Sequence, residues 1–250
     1  MTHGSDVEAV GAARVAVLSY VMASGQPNAC AVTPYVVKGR LTVTSTLALV
    51  AKAAALRRDP RVALTAGGRS VRGSAAVSVD LTSAWFDAHL RVPELAKYPP
   101  ARSIMAVPGH RRLFGWYVGR VIVDVRVEST WPAAGDDRTT LTVLDADGRL
   151  VCTPVPRPPD LAATSIRVAG AIPDGRATLL VREEDEELTD LRQLRLSGEV
   201  RHGLFEVRER RGTLTPSTTG LVGQLRTSHQ MARRAKQNRR QLETWPRAQL

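Results

Sequence analysis

The sequence predicts a mainly β fold built as two related small barrels in tandem with a few helices, and three observations carry that reading. Short segments rich in Val, Thr and Tyr recur between turns bearing Gly, Pro and Asn, the pattern of antiparallel strands. "WYVGRVIVDVRVE" alternates, with Val121, Val123, Val125 and Val127 on one face of a long strand that also contains Trp116 and Tyr117. One hairpin and one strand pair also appear twice along the chain, and a repeat of that length points to a duplicated unit.

The elements follow in order. "RVAVLSYVM" and "ACAVTPYVV" flank the turn "ASGQPN" as a hairpin, and "GRLTVTST" continues after "KG". An Ala/Leu-rich helix then carries Lys52, Arg57 and Arg58 and stops at Asp59-Pro60, since proline disfavours helix in the residue before it. "RVALTA" and "SVRGSAAVSVD" pair across Gly67-Gly68, and "SAWFDAHLRVPELAKY" is helical up to the prolines at 99–100. In the second half "DADGRLVCTPVP" resembles "ASGQPNACAVTP", with Cys152 matching Cys30 if one residue is gapped. "RATLLVREEDEELTDLRQLRLSGEV" likewise pairs Gly198 with Gly73, its acidic run reading as a solvated loop or short helix. The second copy lacks the strand-to-helix junction of the first, and "PVPRPPD" occupies that region. The boundaries expected are 1–130 for the first barrel, 131–216 for a reduced second one, and 217–250 for a basic helical tail.

At 250 residues and 43% hydrophobic content the chain can bury a sizeable core. It contains no apolar run long enough to span a membrane, and "MTHGSDVEAVGAAR" is too polar for a signal peptide. Cys30 and Cys152 stand apart from any CxxC or paired His, so neither a disulfide scaffold nor a metal site is supported and a cytoplasmic protein is expected. Of the net charge of +11, residues 221–250 supply seven Lys/Arg against one Glu. No finger, helix-turn-helix or aromatic platform accompanies them, so nucleic acid is not expected as the main partner. The tail reads as an accessory whose removal leaves the barrel folded, unless Leu221, Val222, Leu225 and Met231 cover apolar surface.

Function is concentrated where the strand "LTVTST" meets its helix. Helix N-termini offer unpaired N–H groups, so hydroxyls there with a lysine up the helix fit a phosphate. An ordinary Ser/Thr cap with a solvated lysine is the alternative. No Ser/His/Asp or paired-carboxylate constellation is evident. His110, in a loop, is a weak proton-donor candidate, because an imidazole titrates near neutrality.

Over residues 14–128 the chain resembles the pyridoxamine 5′-phosphate oxidase-like split barrels, the flavin and deazaflavin oxidoreductase superfamily. The resemblance rests on the order of elements, on "LRRDPRV" and "VRGSA", and on Lys52 eight residues before Pro60 with Leu56 midway. It implies a split β-barrel that binds FMN, or alternatively F420, and moves a hydride to or from a small unsaturated, carbonyl or imine substrate. Thr44, Ser45, Thr46 and Lys52 would anchor the phosphate, with Arg57, Ser70 and Arg72 as further contacts and Trp116 and Tyr117 against the ring or substrate. The family's Ser and Arg before the lysine are Val50 and Ala51 here, which removes two phosphate donors. That departure keeps open a barrel without cofactor that binds a ligand or partner, with the basic tail on nucleic acid. Family members dimerise around the cofactor, so a tandem chain implies a monomer with an internal pseudo-dimer, or a weak homodimer.

Overall fold

Backbone pairing sorts the strands into two antiparallel sheets in a computed structural model that describes residues 4–216 and 221–249. The first sheet holds β1 (Ala16–Val21), β2 (Pro27–Val32), β3 (Pro34–Val37), β4 (Arg40–Thr46), β5 (Arg61–Ala66), β6 (Arg69–Asp80) and β7 (Arg120–Pro132). The second holds β8 (Thr139–Asp145), β9 (Leu150–Pro154), β10 (Ser165–Arg167), β11 (Gly175–Glu183), β12 (Arg192–Arg201) and β13 (Leu204–Thr213). Their orders are β2-β1-β5-β6-β7-β4-β3 and, read from the same end, β9-β8-β11-β12-β13-β10. Strand for strand the second repeats the first and lacks only a partner for β3. The molecule is mainly β, two split-barrel-like units in tandem.

Register extends the match to single residues. Gly25 and Gly148 take left-handed φ of 75° and 73° in the two hairpin turns. The flanking bonds repeat too: Met22 N donates to Gln26 O at 2.9 Å, and Asp145 N to Arg149 O at 3.1 Å. β6 and β12 each shift register at a glycine, Gly73 against β7 and Gly198 against β13. A Cβ there would lie 2.0 Å from Arg126 O or 1.8 Å from Glu206 O, so only glycine fits the bulge.

Followed through the pairs, Tyr20 opposes Asn28 and Val62, and Val143 opposes Val151 and Ala177. Cys152 therefore corresponds to Ala29 and Cys30 to Thr153. The gap that matched the two cysteines is not present in the structure, and they sit on opposite faces. "PVPRPPD" is also displaced from its expected role. It follows β9 in the place of β3, whereas the junction's place, between β10 and β11, is taken by residues 168–174.

The sheets pack on each other through Val17, Val21, Ala29 and Ala63 from the first and Leu150, Cys152 and Leu180 from the second. Ser19 and Thr142 hold the same register position in their halves, and their hydroxyls meet at 2.7 Å. Arg61 Nη1 donates to Gly148 O at 2.6 Å, while Arg176, its counterpart, donates through Nη1 to Ser24 O at 2.9 Å beside Gly25. Equivalent residues meeting each other, with reciprocal clasps on either side, describe an approximate two-fold axis.

Helices serve mainly the first half. α1 (Gly4–Ala12) and α2 (Ala51–Arg58) pack on its sheet. A π-turn at Phe86–Leu90 runs into α3 (Arg91–Lys97), and α4 (Pro100–Ala106), α5 (His110–Leu113) and α6 (Gly115–Val118) fill the crossover to β7. Trp116 and Tyr117 thus lie in the helical turn α6, not in the strand; Gly119 separates them from β7. The valine alternation holds for Val121, Val123 and Val125, but Ile122 is buried as well, because the crossover helices cover the outer face.

The basic tail is not an accessory. α7 (Leu221–Glu243) turns Met231, Ala235 and Leu242 onto the first barrel's core, and the chain beyond it adds Trp245. Leu242 is fully buried and Trp245 only 4% exposed. Val79 N then donates to Pro246 O at 2.8 Å, and Ala248 N to Val79 O at 3.0 Å, which ties the chain end to β6. A stripe at i, i+4, i+7 and i+11 turns inward while arginines face water, the mark of an amphipathic helix. The side chains of Leu221, Val222 and Leu225 lie outside the described residues.

Candidate functional site

A cavity of about 250 Å³ opens beside the end of β4 and the start of α2. Its walls come from both halves: Thr44, Thr46 and Lys52 on one side, Leu188 and Leu191 of the β11–β12 connection on another, and Tyr35, Tyr117 and Arg120 beneath.

Strand alternation decides which hydroxyls face it. Thr44 pairs with Ile122 and Thr46 with Arg120, on the face toward the crossover helices, whereas Ser45 pairs with Val121 on the barrel-core face. Ser45 contributes to the wall from a strand whose side chain alternates inward. The hydroxyls of Ser45 and Thr46 are both buried and have no hydrogen-bond partner among the described residues. A buried polar atom left unpaired costs about 1–3 kcal/mol, and a ligand or water at Thr46 offsets that cost.

The hydroxyls do not cap the helix. α2 starts at Ala51 with Val50 at its N-cap and no side-chain cap bond, so the Ser/Thr-cap alternative is excluded by geometry. Lys52, in the first turn, is half-buried and has no ion pair or hydrogen bond among the described residues. A free cation, an unpaired hydroxyl and the positive end of a helix converge on one space, and anions bind in such places.

Beneath them lies a buried charge network. Glu94 of α3 accepts from the Tyr35 hydroxyl, from the Tyr117 hydroxyl at 2.5 Å and from Arg120 Nη2 at 2.9 Å. Arg120 also donates to Tyr117 O and stacks over the Tyr117 and Phe86 rings at 4.3 and 4.8 Å. Burial, and then the Glu94 charge, push both phenols well above their ordinary range, so they stay protonated. Sequence reading missed this floor. Its signal was one arginine inside the apolar run "GRVIVDV".

Several expected residues lie elsewhere. Arg57 stacks on Trp245 at 4.8 Å, and Arg72 lies over Trp131 at 6.0 Å. Ser70 is buried between the halves, bonded to Thr65 at 2.7 Å and to Cys152 O at 3.2 Å. His110 begins α5, away from the cavity, and Trp116 lines a different one. Of the two aromatic candidates only Tyr117 reaches the site.

Across the two-fold a counterpart cavity of about 750 Å³ is lined by Arg138, Pro154, Val155 and Pro156. Their register positions match Val15, Ala31, Val32 and Thr33 of the first cavity. It has no helix and is crossed by ion pairs. Arg182, buried, joins Asp137 and Glu184, while Glu183 binds Arg157 at 2.8 Å and Arg192 at 3.2 Å. The acidic run is therefore not simply solvated: Glu184 enters this network and Leu188 is buried over the first cavity.

Among the described residues no group of His, Cys, Asp or Glu is placed to hold a metal, and no helix is long and apolar enough to cross a membrane. No family model matches the chain, and no curated protein matches it. Solved structures similar to part of it include a conserved hypothetical protein from Mycobacterium tuberculosis, 22% identical, covering 53% of this chain and 85% of its own, with TM-score 0.36. An F420 reductase is 18% identical over 50% of this chain and 94% of its own, with TM-score 0.35. A candidate pyridoxamine 5′-phosphate oxidase from Listeria innocua is 19% identical over 51% of this chain and 92% of its own, with TM-score 0.35.

Proposed function

We propose that the cavity between the halves holds a phosphate-bearing flavin or deazaflavin, FMN or F420, and that the chain is an oxidoreductase acting on a small unsaturated, carbonyl or imine substrate. The observation that carries this reading is the buried, unpaired Thr46 hydroxyl beside Lys52 at the start of α2. The residues fit the phosphate end: Thr44 and Thr46 donate hydroxyls, the first turn of α2 donates N–H groups, and Lys52 supplies charge. At the ring end the enclosed volume is below the roughly 300–1,000 Å³ usual for small-molecule sites. A bound ring would have to reach toward the mouth, where Leu49 and Leu191, 46% and 39% exposed, would hold it.

The cofactor ring supplies the hydride chemistry when bound. The chain's residues bind and orient. Leu188 and Leu191, from the second half, cover one side and exclude water. Tyr35 and Tyr117 stay neutral and commit their protons to Glu94, so they form a fixed floor rather than an acid catalyst. His110 does not line the cavity, so a proton would reach the substrate from water at the mouth. The internal two-fold would supply the interface a dimer would need, which supports a monomer with an internal pseudo-dimer, or a weak homodimer.

Lys52→Ala weakens FMN or F420 binding by about 1.5–3 kcal/mol, as expected for a charge-assisted contact, and leaves the fold intact. Equal affinity in the variant refutes the anchor. Val50 and Ala51 favour a second reading, a barrel that binds a small ligand without redox chemistry. The absorption spectrum of the purified chain, alone and after adding back FMN or F420, separates the two readings.

A further inference from the structure

A larger cavity of the first half has a different character. It measures about 510 Å³, within the usual range for small-molecule sites, and none of its lining residues is shared with the junction cavity. Arg111 and Arg112 of α5 stand on one side, Lys236 and Arg239 of α7 on the other, with Trp116 and Leu113 between them.

Only half of these charges are cancelled locally. Arg111 is held by Asp87 at 3.0 Å and Arg239 by Glu243 at 3.2 Å. Arg112 and Lys236 have no acidic partner among the described residues. Segments more than a hundred residues apart in sequence thus bring two cations without acidic partners to one concavity, and like charges brought together lose stability unless an anion joins them. The remaining wall is apolar. Leu113 is 60% exposed at the rim, Leu81 and Val118 line the interior, and Trp116 offers a half-buried indole. An apolar-aromatic wall beneath paired cations suits a molecule with a flat ring and a phosphate group.

We infer that the cleft between α5 and α7 is a second binding site, for a phosphate-bearing aromatic small molecule of nucleotide size. The ring lies against Trp116 and Leu113, and the phosphates bridge Arg112 and Lys236. α7 explains why a helix so basic is docked here: its inner stripe completes the core, and its flank next to α5 completes this cleft.

Isothermal titration of the full chain with ADP tests it, alongside pyrophosphate alone and adenosine alone. Saturable binding of one ADP per chain is expected, with both fragments binding more weakly. The double variant Arg112→Ala/Lys236→Ala weakens ADP at least tenfold, and Lys52→Ala leaves it unchanged. Both cleft residues are exposed, so the double variant keeps the wild-type melting temperature, and Arg112→Gln/Lys236→Gln gives the same loss. No saturable ADP binding, or binding indifferent to the double variant, overturns the proposal. Loss on Lys52→Ala instead places ADP in the junction cavity and overturns it too. A single-stranded oligonucleotide that binds with a steep salt slope while ADP does not also overturns it, since the cations then serve a polymer.

Discussion

The two halves share six strands in one order and a bulge glycine in the same strand, yet they differ sharply in their connections, one of which faces the candidate site. Between β4 and β5 lie residues 47–60 with α2; between β10 and β11 lie residues 168–174 without a helix. The first connection faces a cavity whose lysine and threonine have no partner among the described residues, while the counterpart cavity is crossed by its own ion pairs. The sheets are held by burial and register, which tolerate little change. Connections can shorten without disturbing that core, so a half can lose its site and keep its fold.

The comparison breaks most severely if α7 is removed, because that helix belongs to the first half alone. Ending the chain at residue 226 strips Leu242 and Trp245 from the core. Each large-to-small change of that kind costs about 3–5 kcal/mol, and together they match a domain's whole stability. Hydrogen exchange is expected to lose protection in β4–β7 while β11–β13 retain theirs; equal loss in both refutes the assignment of α7 to one half. Next in size is Glu94→Ala, which leaves Arg120 buried without its carboxylate and costs about 3–5 kcal/mol by denaturant unfolding. Glu184→Ala costs less, since Arg182 keeps Asp137.

Gly73→Ala and Gly198→Ala probe what the halves share. Each pushes a Cβ into a facing carbonyl and costs about 1–3 kcal/mol, the two within error of each other. A neutral result at either position ends the equivalence. The smallest effect lies at the clasp. Asp59, hydrogen-bonded and paired to Arg61, has its pKa lowered below the ordinary 3.8. Its folded form binds protons less readily than the unfolded chain, so its contribution is full above about pH 4 and fades as pH falls through the lowered pKa. For a partly exposed pair that is about 0.5 kcal/mol. Asp59→Asn flattens the acid limb of a stability–pH curve by that amount.

Much of the fold was legible because strands and turns carry local signals. The hairpin at Gly25, the strand pair across Gly67-Gly68 and the repeat at Gly198 all follow from turn chemistry and period two. Thr46 and Lys52 were legible as well, since a strand-to-helix junction is local. What depends on distant contacts was hidden. The α7 stripe reads as a basic tail until the surface beneath it is known, and Arg57 and Arg72 have aromatic partners, Trp245 and Trp131, that spacing does not announce. The cysteine match failed for a related reason: identity was favoured over register, and only the ladder counts residues correctly.

The hydroxyl pair on the axis has a consequence of its own. Two identical hydroxyls facing each other across a two-fold cannot both donate; one must give its proton and the other receive it, so a symmetric dimer leaves the direction undecided. Here the halves differ nearby: Ser19 faces Thr142, Cys152 stands where the first half has Ala29, and Thr65 stands where the second half has Leu180. Ser19 reaches the Cys152 sulfur at 3.1 Å and Thr142 only at 3.7 Å. The shorter contact favours Ser19 as the donor to sulfur and Thr142 as the donor between the two hydroxyls, and Thr65 donates to the same sulfur at 3.1 Å. These few differences bias what would be a coin-toss at the centre of the molecule toward one direction, a polarity that joining two copies in a single chain makes heritable.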